Sequence, residues 1–449
     1  MGKLFGTDGI RGKANTYPMT VEMALIAGKA VASYFRKIDA PPKIVIGRDT
    51  RLSGDMIEGA LVAGICANGG EILRAGVIPT PGVAFLCRHM NASAGIVISA
   101  SHNPYTDNGI KLFSGNGSKL PDEVEAAIES MIVSMPNPTG HAGTDRIGRA
   151  GYLHHAIDHY IDFLTQIPPA SFDLSNLKIV LDCANGATFK VAPRLFRDLG
   201  AEVISLFVDP DGQNINAGCG SQHPEPLAKA VVEHRADVGL AFDGDGDRLI
   251  SVDENGRVLS GDQILAVCAN HMKNTGTLDN NLVVSTVMSN IGFRKALKQV
   301  GIQHRITGVG DRYVLAEMRE TGAVLGGEDS GHIIFLNHHS TGDGIIAGLK
   351  LVEVMLQSGR TLSELAEVMQ VFPQALINVE VSQKPDIENI PRIKNKIDSV
   401  EKQLGGMGRV LVRYSGTQDI CRVMVEGPSR NDTDKYAGQI AEAIRQMLA

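Results

Sequence analysis

Short apolar runs alternate with amphipathic stretches along most of the chain, and one arrangement of these runs and stretches occurs three times. Each repeat begins with an apolar run typical of a buried strand, at residues 43–47, 178–182 and 282–286. A helical stretch and a second strand follow, and the second strand comes after Gly70, Gly200 and Gly301. Third strands are expected at residues 95–98, 237–242 and 322–325. The pattern predicts three similar α/β domains, with chance likeness between ordinary α/β units as the alternative.

The last part of the chain follows a different pattern. It predicts a strand (375–381), a helix (390–404), two strands (409–413 and 421–426) and a final helix after Asp432, which is typical of a small α+β domain. The Pro- and Gly-containing segment 135–151 precedes a helix expected near Tyr152, and Asn255-Gly256 predicts a hairpin turn. These breaks predict domains at residues 1–150, 151–254, 255–369 and 370–449.

The expected fold class is therefore α/β. It consists of three similar α/β domains with mixed sheets between helices, plus a smaller C-terminal α+β domain, around a central cleft. Each predicted third strand runs into a polar loop, at residues 99–104, 243–248 and 327–332. Ligands gather at the carboxyl ends of strands in α/β sheets, so we expect these three chemically distinct loops to converge on one cleft.

The second of these loops carries three carboxylates at alternating positions, Asp243, Asp245 and Asp247, with glycines between them. Such crowding is costly unless a cation lies among the carboxylates, and ligands that are all oxygen favour Mg²⁺ or Ca²⁺. An EF-hand is disfavoured because its sixth position should be glycine but is Arg248, and because the flanks resemble strands. A solvated acidic turn is the remaining alternative.

The first loop offers Ser101 beside His102, which suggests a nucleophile on a rigid turn or, equally, a turn that satisfies its own backbone. Lys111 follows among small and apolar residues, as a candidate general acid/base or an ordinary surface lysine. Arg248 is suited to a phosphoryl oxygen or simply to offsetting the aspartates. Together with a metal, these groups are the parts that phosphoryl transfer requires.

Two further segments offer groups for a substrate. The third loop places Glu328, Ser330 and His332 on a glycine-framed turn, where they could grip sugar hydroxyls and assist proton transfer, or form an ordinary turn. Near the end of the chain, backbone amides, hydroxyls and two arginines form a candidate phosphate cradle, with a plain hairpin as the alternative; its residues are Arg413, Ser415, Gly416, Thr417 and Arg422.

Composition narrows the class of protein. A chain of 449 residues is too long to fold around a single hydrophobic core. Its net charge of -7 argues against nucleic acid or an anionic membrane as a partner. We expect no membrane-spanning segment and no secretion signal. The six cysteines are scattered without a Cys-x-x-Cys pair, which favours reduced thiols and a cytoplasmic location.

Five motifs in order resemble the α-D-phosphohexomutase superfamily, and its glucosamine branch in particular. They are Phe5-Gly-Thr-Asp-Gly-Ile-Arg11-Gly12, Ser99-Ala-Ser-His-Asn-Pro104 and the segments 243–248, 327–332 and 413–417. The resemblance implies a phosphorylated Ser101 that binds one Mg²⁺ together with the three aspartates. It implies catalytic roles for Arg11, His102, Lys111, Arg248 and His332. It also implies sugar contacts from Glu328 and Ser330 and a distal phosphate site at Arg413, Ser415, Gly416, Thr417 and Arg422.

The reaction implied by the resemblance is the reversible conversion of glucosamine 6-phosphate to glucosamine 1-phosphate through a 1,6-bisphosphate, which supplies amino-sugar nucleotide precursors of the cell wall. A mutase for 2-hydroxy sugars, a non-catalytic sugar-phosphate sensor and a phosphatase remain alternatives. The small-molecule substrate is the expected partner, and a homodimer is left open. One motif departs from the family, because Tyr414 replaces a proline and Gln418-Asp419 replace Glu-Pro. This departure puts the stiffness of that loop in doubt.

Overall fold

A computed structural model describes residues 4–6, 8–36, 40–134, 143–415 and 419–448. The chain forms two compact units. The first comprises Met1–Val287 with Ile302–Glu367, and the second comprises Met288–Gly301 with Val368–Ala449. Among the helices that the structure describes, none is long and apolar enough to cross a membrane.

The first sheet of the larger unit has the strand order β1-β5-β4-β2-β3-β6. Its strands are β1 (Ile10–Lys13), β2 (Lys43–Arg48), β3 (Glu71–Val77), β4 (Ala94–Ile98), β5 (Asp107–Ser114) and β6 (Ala150–Tyr152). The helices of this region are α1 (Val21–Tyr34), α2 (Gly54–Ala67), α3 (Thr80–His89) and α4 (Asp122–Ser134).

The prediction that a helix begins near Tyr152 is wrong. Residues 150–152 instead add a parallel edge strand to β3, which provides partners for backbone groups that β3 would otherwise leave unpaired. The next helix, α5 (Ala156–Leu164), begins only at Ala156, where Ala156, Tyr160 and Leu164 start an i, i+4 series of buried positions.

The second sheet has the order β11-β10-β9-β7-β8. Its strands are β7 (Lys178–Asp182), β8 (Glu202–Leu206), β9 (Val238–Phe242), β10 (Leu249–Asp253) and β11 (Val258–Leu259), and its further helices are α6 (Val191–Asp198) and α7 (Glu225–His234). The hairpin expected at Asn255-Gly256 is confirmed, since β10 and β11 pair antiparallel around it and Gly256 has φ +81°. The predicted domain boundary at 254/255 falls inside this hairpin.

The third sheet has the order β13-β12-β14-β15. Its strands are β12 (Leu282–Thr286), β13 (Gln303–Thr307), β14 (Leu325–Gly327) and β15 (Ile333–Phe335). The helices are α8 (Gly261–Asn274), α9 (Ile291–Gln299, in the smaller unit), α10 (Asp311–Thr321), α11 (Gly344–Ser358) and α12 (Leu362–Ala366). The strand expected at 322–325 starts later, because Gly322 ends α10 in the left-handed conformation with φ +72°.

The same arrangement recurs in all three sheets. The first strand lies between the second and third strands of its repeat and is parallel to both, giving β4-β2-β3, β9-β7-β8 and β14-β12-β13. In each sheet the third strand then turns into an antiparallel neighbour, β5, β10 or β15. The threefold repeat is thus confirmed, and the three polar loops occupy the same topological position.

The smaller unit contains an antiparallel sheet of order β16-β18-β17. Its elements are β16 (Gln374–Glu380), α13 (Pro391–Leu404), β17 (Arg409–Tyr414), β18 (Ile420–Glu426) and α14 (Arg430–Leu448). Apolar residues of the sheet and of both helices form one core, with Val423, Ile393 and Ile440 fully buried. The expected α+β ending of the chain is therefore confirmed.

Candidate active site

The loop between β4 and β5 holds Ser101 in a strained backbone conformation. All five residues of β4 are buried, so the loop starts from a fixed strand end. Ser101 has φ +51°, a value uncommon for a residue with a side chain, and it is 1% exposed. Its amide donates to Ser99 Oγ at 2.9 Å, and its own Oγ lies 3.2 Å from His102 Nδ1. Burial and the nearby Arg248 lower the pKa of His102 to about 4, so this imidazole is neutral at pH 7.

The loop between β9 and β10 brings three buried carboxylates together. One oxygen each of Asp243, Asp245 and Asp247 lies within 4.8 Å of the others. Burial, Asp247 and Asp245 raise the pKa of Asp243 well above its ordinary value, because three like charges cannot share this space without a cation.

Two oxygens of this cluster fit a metal ion. Oδ1 of Asp245 and Oδ1 of Asp247 are buried and accept no hydrogen bond within the described parts of the chain. Oδ2 of Asp245 is instead fixed by Thr80, whose hydroxyl donates to it at 2.6 Å from the start of α3. A set of carboxylate oxygens with open lone pairs suits a hard divalent cation such as Mg²⁺.

The serine and the aspartates come from different sheets and meet directly. Ser101 Oγ donates to Asp243 Oδ2 at 2.5 Å across a separation of 142 residues. The aspartate loop approaches the serine loop so closely that a Cβ on Gly244 would lie 2.7 Å from the Ser101 carbonyl oxygen. Glycine at position 244 is therefore required by this approach.

Lys111, on β5, lies in the same cluster. Its Nζ is 2.7 Å from Asp245 Oδ2, 3.1 Å from Asp8 Oδ2 and 3.7 Å from Asp247 Oδ2. Burial alone would lower the pKa of this amine, but Asp245, Asp8 and Asp247 outweigh it and raise the pKa. Burial would likewise raise the pKa of Asp247, yet Lys111 and His332 hold it below its usual range. Lys111 is thus a buried ammonium at the cluster and not a surface lysine.

A chain of charges continues from Lys111 to the third loop. Asp8 accepts from Lys119, and Lys119 Nζ lies 2.5 Å from Asp311 Oδ2. Asp311 Oδ2 is 3.5 Å from His332 Nε2, and His332 Nδ1 is 3.6 Å from Asp247 Oδ2. The sequence reasoning assigned no role to Asp8, Lys119 or Asp311. Asp8 lies inside the first quoted motif, which was its only signal.

Two arginines flank the cluster. The Arg248 amide donates to Asp243 Oδ1 at 3.2 Å, and its Nε is 3.8 Å from Asp247 Oδ1. Arg11, on β1, pairs with Asp8 and donates to the carbonyl of Ala100 at 3.5 Å. Both side chains remain partly exposed, at 20% and 27%, so cationic groups border the metal-ligand set on its open side.

Glu328 and Ser330, which were predicted to contact the sugar, lie on the loop between β14 and β15. Glu328 Oε1 accepts from the Gly310 amide at 3.1 Å, and Ser330 Oγ is buried without a hydrogen-bond partner among the described residues. The loop is tied to the second sheet, because the Leu249 amide donates to the Gly331 carbonyl at 3.0 Å. The three loops therefore converge within the larger unit.

The remaining candidates lie in the smaller unit. Arg413 and Arg422 are directly opposite in the register of β17 and β18, and burial together with Arg422 lowers the pKa of Arg413. Arg422 Nε has no hydrogen-bond partner in the described residues. Ser415 follows β17, and Gly416 and Thr417 fall outside the described residues. Two like charges placed together with spare donors suit an anionic ligand.

Tyr414, which stands where the family motif has a proline, makes a contact of its own. Tyr414 donates from its hydroxyl to the carbonyl of Pro385 at 2.7 Å, and Lys384 Nζ reaches the Ser415 carbonyl at 3.3 Å. These contacts anchor the start of the loop by hydrogen bonds where the family uses a proline ring. Residues 416–418, on which the prediction about the stiffness of the loop falls, lie outside the described residues.

Four family models match the chain in succession. They describe phosphoglucomutase/phosphomannomutase α/β/α domain I over residues 2–137, domain II over 158–256, domain III over 260–372 and the C-terminal domain over 376–443. Together they cover most of the chain. They also agree with three sheets of one topology followed by a different, smaller domain.

Relatives and solved structures agree with these models. Phosphoglucosamine mutases of Syntrophus aciditrophicus and Syntrophobacter fumaroxidans are 57% and 54% identical over 448 residues, covering 100% of both chains in each case. A phosphoglucomutase/phosphomannomutase family protein from Burkholderia thailandensis has a TM-score of 0.80 at 26% identity, covering 99% of this chain and 97% of its own. An N-acetylphosphoglucosamine mutase from Aspergillus fumigatus, 18% identical with a TM-score of 0.68 over 99% and 95% of the two chains, shares the fold. The chain belongs to the phosphoglucomutase/phosphomannomutase family, which confirms the phosphohexomutase resemblance of its five motifs.

Proposed function

We propose that this protein is an isomerase that converts glucosamine 6-phosphate and glucosamine 1-phosphate into each other, with Ser101 as the carrier of the phosphoryl group. Relatives that share 51–57% of its residues over the whole chain are phosphoglucosamine mutases. The observation that carries the proposal is the 2.5 Å contact between Ser101 Oγ and Asp243. This contact supports the proposal because the hydroxyl lies at the edge of a buried carboxylate cluster that suits Mg²⁺.

The reaction consists of two transfers through the same site. In the first, the Oγ–P bond of phospho-Ser101 breaks and a bond forms from phosphorus to O1 of glucosamine 6-phosphate, which gives a 1,6-bisphosphate. The hydroxyl that attacks gives up its proton, and the Ser101 oxygen gains one. After the bisphosphate turns end over end, its 6-phosphoryl group returns to Ser101 and leaves glucosamine 1-phosphate.

This chain supplies most of the machinery for both transfers. Lys111, held as an ammonium by Asp245 and Asp8, donates the proton that the Ser101 oxygen gains, and the amine so formed takes up the proton of the attacking hydroxyl. Arg248 and Arg11 add positive charge beside the transferring group. Asp243, Asp245 and Asp247, together with the Ser101 phosphoryl group, would hold Mg²⁺, which would offset their charges and supply positive charge for phosphoryl transfer.

The remaining groups recognise the substrate. Glu328 and Ser330 contact sugar hydroxyls, and His332 assists proton transfer from between Asp247 and Asp311. His102 lies beside the carrier as a neutral imidazole, with its Nδ1 3.2 Å from Ser101 Oγ, whose proton is donated to Asp243. Arg413 and Arg422, with the loop from Ser415 through Gly416 and Thr417, hold the phosphate that is not reacting. The support for this role is that the two arginines lie side by side in the sheet and that Arg422 Nε has no hydrogen-bond partner among the described residues.

Several further features belong to the same proposal. The amino-sugar phosphate is the partner, and a 2-hydroxy sugar phosphate is the less favoured substrate. We infer a cytoplasmic location, where the six cysteines, all free in the structure, stay reduced. The domain boundaries 1–150, 151–254, 255–369 and 370–449, the absence of nucleic-acid or membrane partners and a homodimer remain predictions.

The proposal is tested by a coupled turnover assay with glucosamine 6-phosphate, Mg²⁺ and a trace of hexose 1,6-bisphosphate. Ser101→Ala is expected to be inactive, whereas Ser130→Ala, on the exposed face of α4, keeps full activity. Full mutase activity of Ser101→Ala would refute the proposal. The ratio of kcat/KM for glucosamine and glucose phosphates decides between the two substrate classes, and release of inorganic phosphate would indicate a phosphatase.

A further inference from the structure

The turn that carries Ser101 is held through two of its backbone carbonyl oxygens. These belong to Ser101 itself and to Asn103. Each oxygen accepts hydrogen bonds from the same two side chains, Arg51 and Asn216, which lie in the segments that follow β2 and β8. Neither side chain belongs to the five motifs, and neither has a role in the chemistry described above.

Arg51 reaches the turn from the segment after β2. Its Nη2 donates to the Ser101 carbonyl at 3.1 Å and to the Asn103 carbonyl at 2.5 Å, and its side chain is 0% exposed. Asp49 fixes the guanidinium by accepting from Nη1 and from the Arg51 amide, the latter at 2.9 Å. The guanidinium charge is therefore already paired, and its Nη2 is the group that serves the turn.

Asn216 reaches the same turn from the loop that follows β8. Its Nδ2 donates to the Ser101 carbonyl at 2.9 Å and to the Asn103 carbonyl at 3.0 Å. Asn216 is 9% exposed and has φ +58°, so its own backbone is also held in an uncommon conformation. It lies against Gly244, where a Cβ would be 2.8 Å from its Nδ2.

We propose that Arg51 and Asn216 are positioning residues for phosphoryl transfer, because they hold the left-handed conformation of Ser101 that aims its Oγ at the aspartate cluster. A non-glycine residue at φ +51° is strained and keeps this conformation only where its surroundings enforce it. Four hydrogen bonds on two carbonyls supply that enforcement, two of them from a charged donor. The inference rests on the proposed function, since it assigns the Oγ direction a catalytic consequence.

Asn216 also links the Ser101 turn to the second sheet. It belongs to the chain segment that builds the second sheet, as do the three aspartates, whereas Ser101 belongs to the first sheet. Through Asn216, the second sheet therefore fixes both the metal ligands and the backbone of the hydroxyl that they face. A displacement of about 1 Å between nucleophile and partner groups can reduce a rate by about 10²-fold.

If Asn216 had only a structural role, a different result would be expected, and Thr50 provides a matched control. Thr50 Oγ1 donates to the Asn185 carbonyl at 2.6 Å, which is also a buried hydrogen bond between the segments of the first and second sheets. It does not touch the Ser101 turn. Thr50→Val and Asn216→Ala therefore both remove contacts between these segments, but only Asn216→Ala takes one of the two donors from each carbonyl and leaves both to Arg51 alone.

The experiment measures kcat and KM for glucosamine 6-phosphate, with Tm, for both variants and the wild-type protein. For Asn216→Ala we expect kcat to fall by about 10-fold or more with KM within about twofold, and for Thr50→Val a kcat near that of the wild type. Equal kcat values for the two variants at equal Tm would overturn the proposal. A rise in KM with kcat unchanged would also overturn it.

A second variant covers the case in which Asn216→Ala folds poorly. Asn216→Asp keeps the size of the side chain but turns an acceptor oxygen toward the two carbonyls, so kcat is expected to fall further than in Asn216→Ala. Single-turnover loss of the phosphoryl group from phospho-Ser101 on adding substrate should slow in the same order. Wild-type rates in both variants would refute the positioning role while leaving Ser101 as carrier, whereas an active Ser101→Ala would refute the proposed function itself.

Discussion

Replacing Asp243 by asparagine should stabilise the protein without metal and remove its response to metal. The substitution keeps the shape of the side chain, and both hydrogen bonds can persist. Oδ1 can still accept from the Arg248 amide, and the new Nδ2 can donate to Ser101 Oγ, which reverses the direction of the 2.5 Å contact. The chief change is the loss of one negative charge from a buried cluster of three.

The size of the effect follows from the distances in the cluster. Two like charges no more than 4.8 Å apart repel each other by about 3.5 kcal/mol at an effective dielectric constant of about 20. Lys111 and Arg248 offset part of this repulsion, so a net gain of about 1–2 kcal/mol is expected for Asp243→Asn. At this chain length that gain corresponds to a rise in Tm of about 1–4 °C.

The sign of the pH dependence is also fixed. Because the pKa of Asp243 is raised in the metal-free folded state, that state binds more protons than the unfolded state above the ordinary carboxyl pKa. The contribution of this group to stability therefore falls as the pH rises from the ordinary carboxyl pKa toward the raised one. Asp243→Asn lacks this titration, so its advantage in Tm over the wild type should grow with pH.

The assay is thermal unfolding with a chelator and with excess Mg²⁺, for the wild type, Asp243→Asn and the control Asp253→Asn. Asp253 lies on the same hairpin but accepts from the backbone amides of Asn255 and Arg257. Mg²⁺ should raise Tm in the wild type and the control and leave Asp243→Asn unchanged. The reasoning is refuted if metal-free Asp243→Asn is less stable than the wild type, or if Mg²⁺ stabilises it as much.

Three further substitutions test other parts of the site. Lys111→Met removes the buried ammonium and should lower kcat by about 10²–10⁴-fold in the coupled assay, and a loss below threefold would contradict its acid/base role. Gly244→Ala places a Cβ 2.7 Å from the Ser101 carbonyl and should abolish turnover or soluble expression, so wild-type kcat and Tm would disprove the close approach. Arg422→Met should raise KM about 10-fold or more, since hydrogen bonds from a charged group are worth about 1.5–3 kcal/mol. The substitution should not lower Tm, because Arg413 loses a like-charge neighbour. An unchanged KM would argue against the phosphate role of Arg422.

The sequence identified the loops of this site well because each follows a buried apolar strand. The strands that lead to Ser101 and to Asp243 lie within one residue of their expected bounds, and the three loops share one topological position. Hydrophobic periodicity reports burial along a strand, and alternating Asp-Gly residues report a crowded turn. Both are local signals, so a single sequence carries them.

The contacts that complete the site depend on partners far apart in the chain. Lys119 resembles any polar residue after a turn, and only the fold places it between Asp8 and Asp311. Arg51 and Asn216 likewise gain their meaning from carbonyl oxygens 50 and 115 residues away. Strand β6 was missed for a similar reason, since its three exposed residues form a strand only because the edge of β3 is open.

The central claim is that Ser101 carries the phosphoryl group between the two positions of the sugar. Its most direct test is the intact mass of the protein after exposure to hexose 1,6-bisphosphate and Mg²⁺, followed by mapping of the modified peptide. The account predicts a gain of one phosphoryl group on Ser101, its loss when glucosamine 6-phosphate is added, and no gain in Ser101→Ala. A phosphoryl group on any other residue, or turnover without phosphorylation of Ser101, would contradict it.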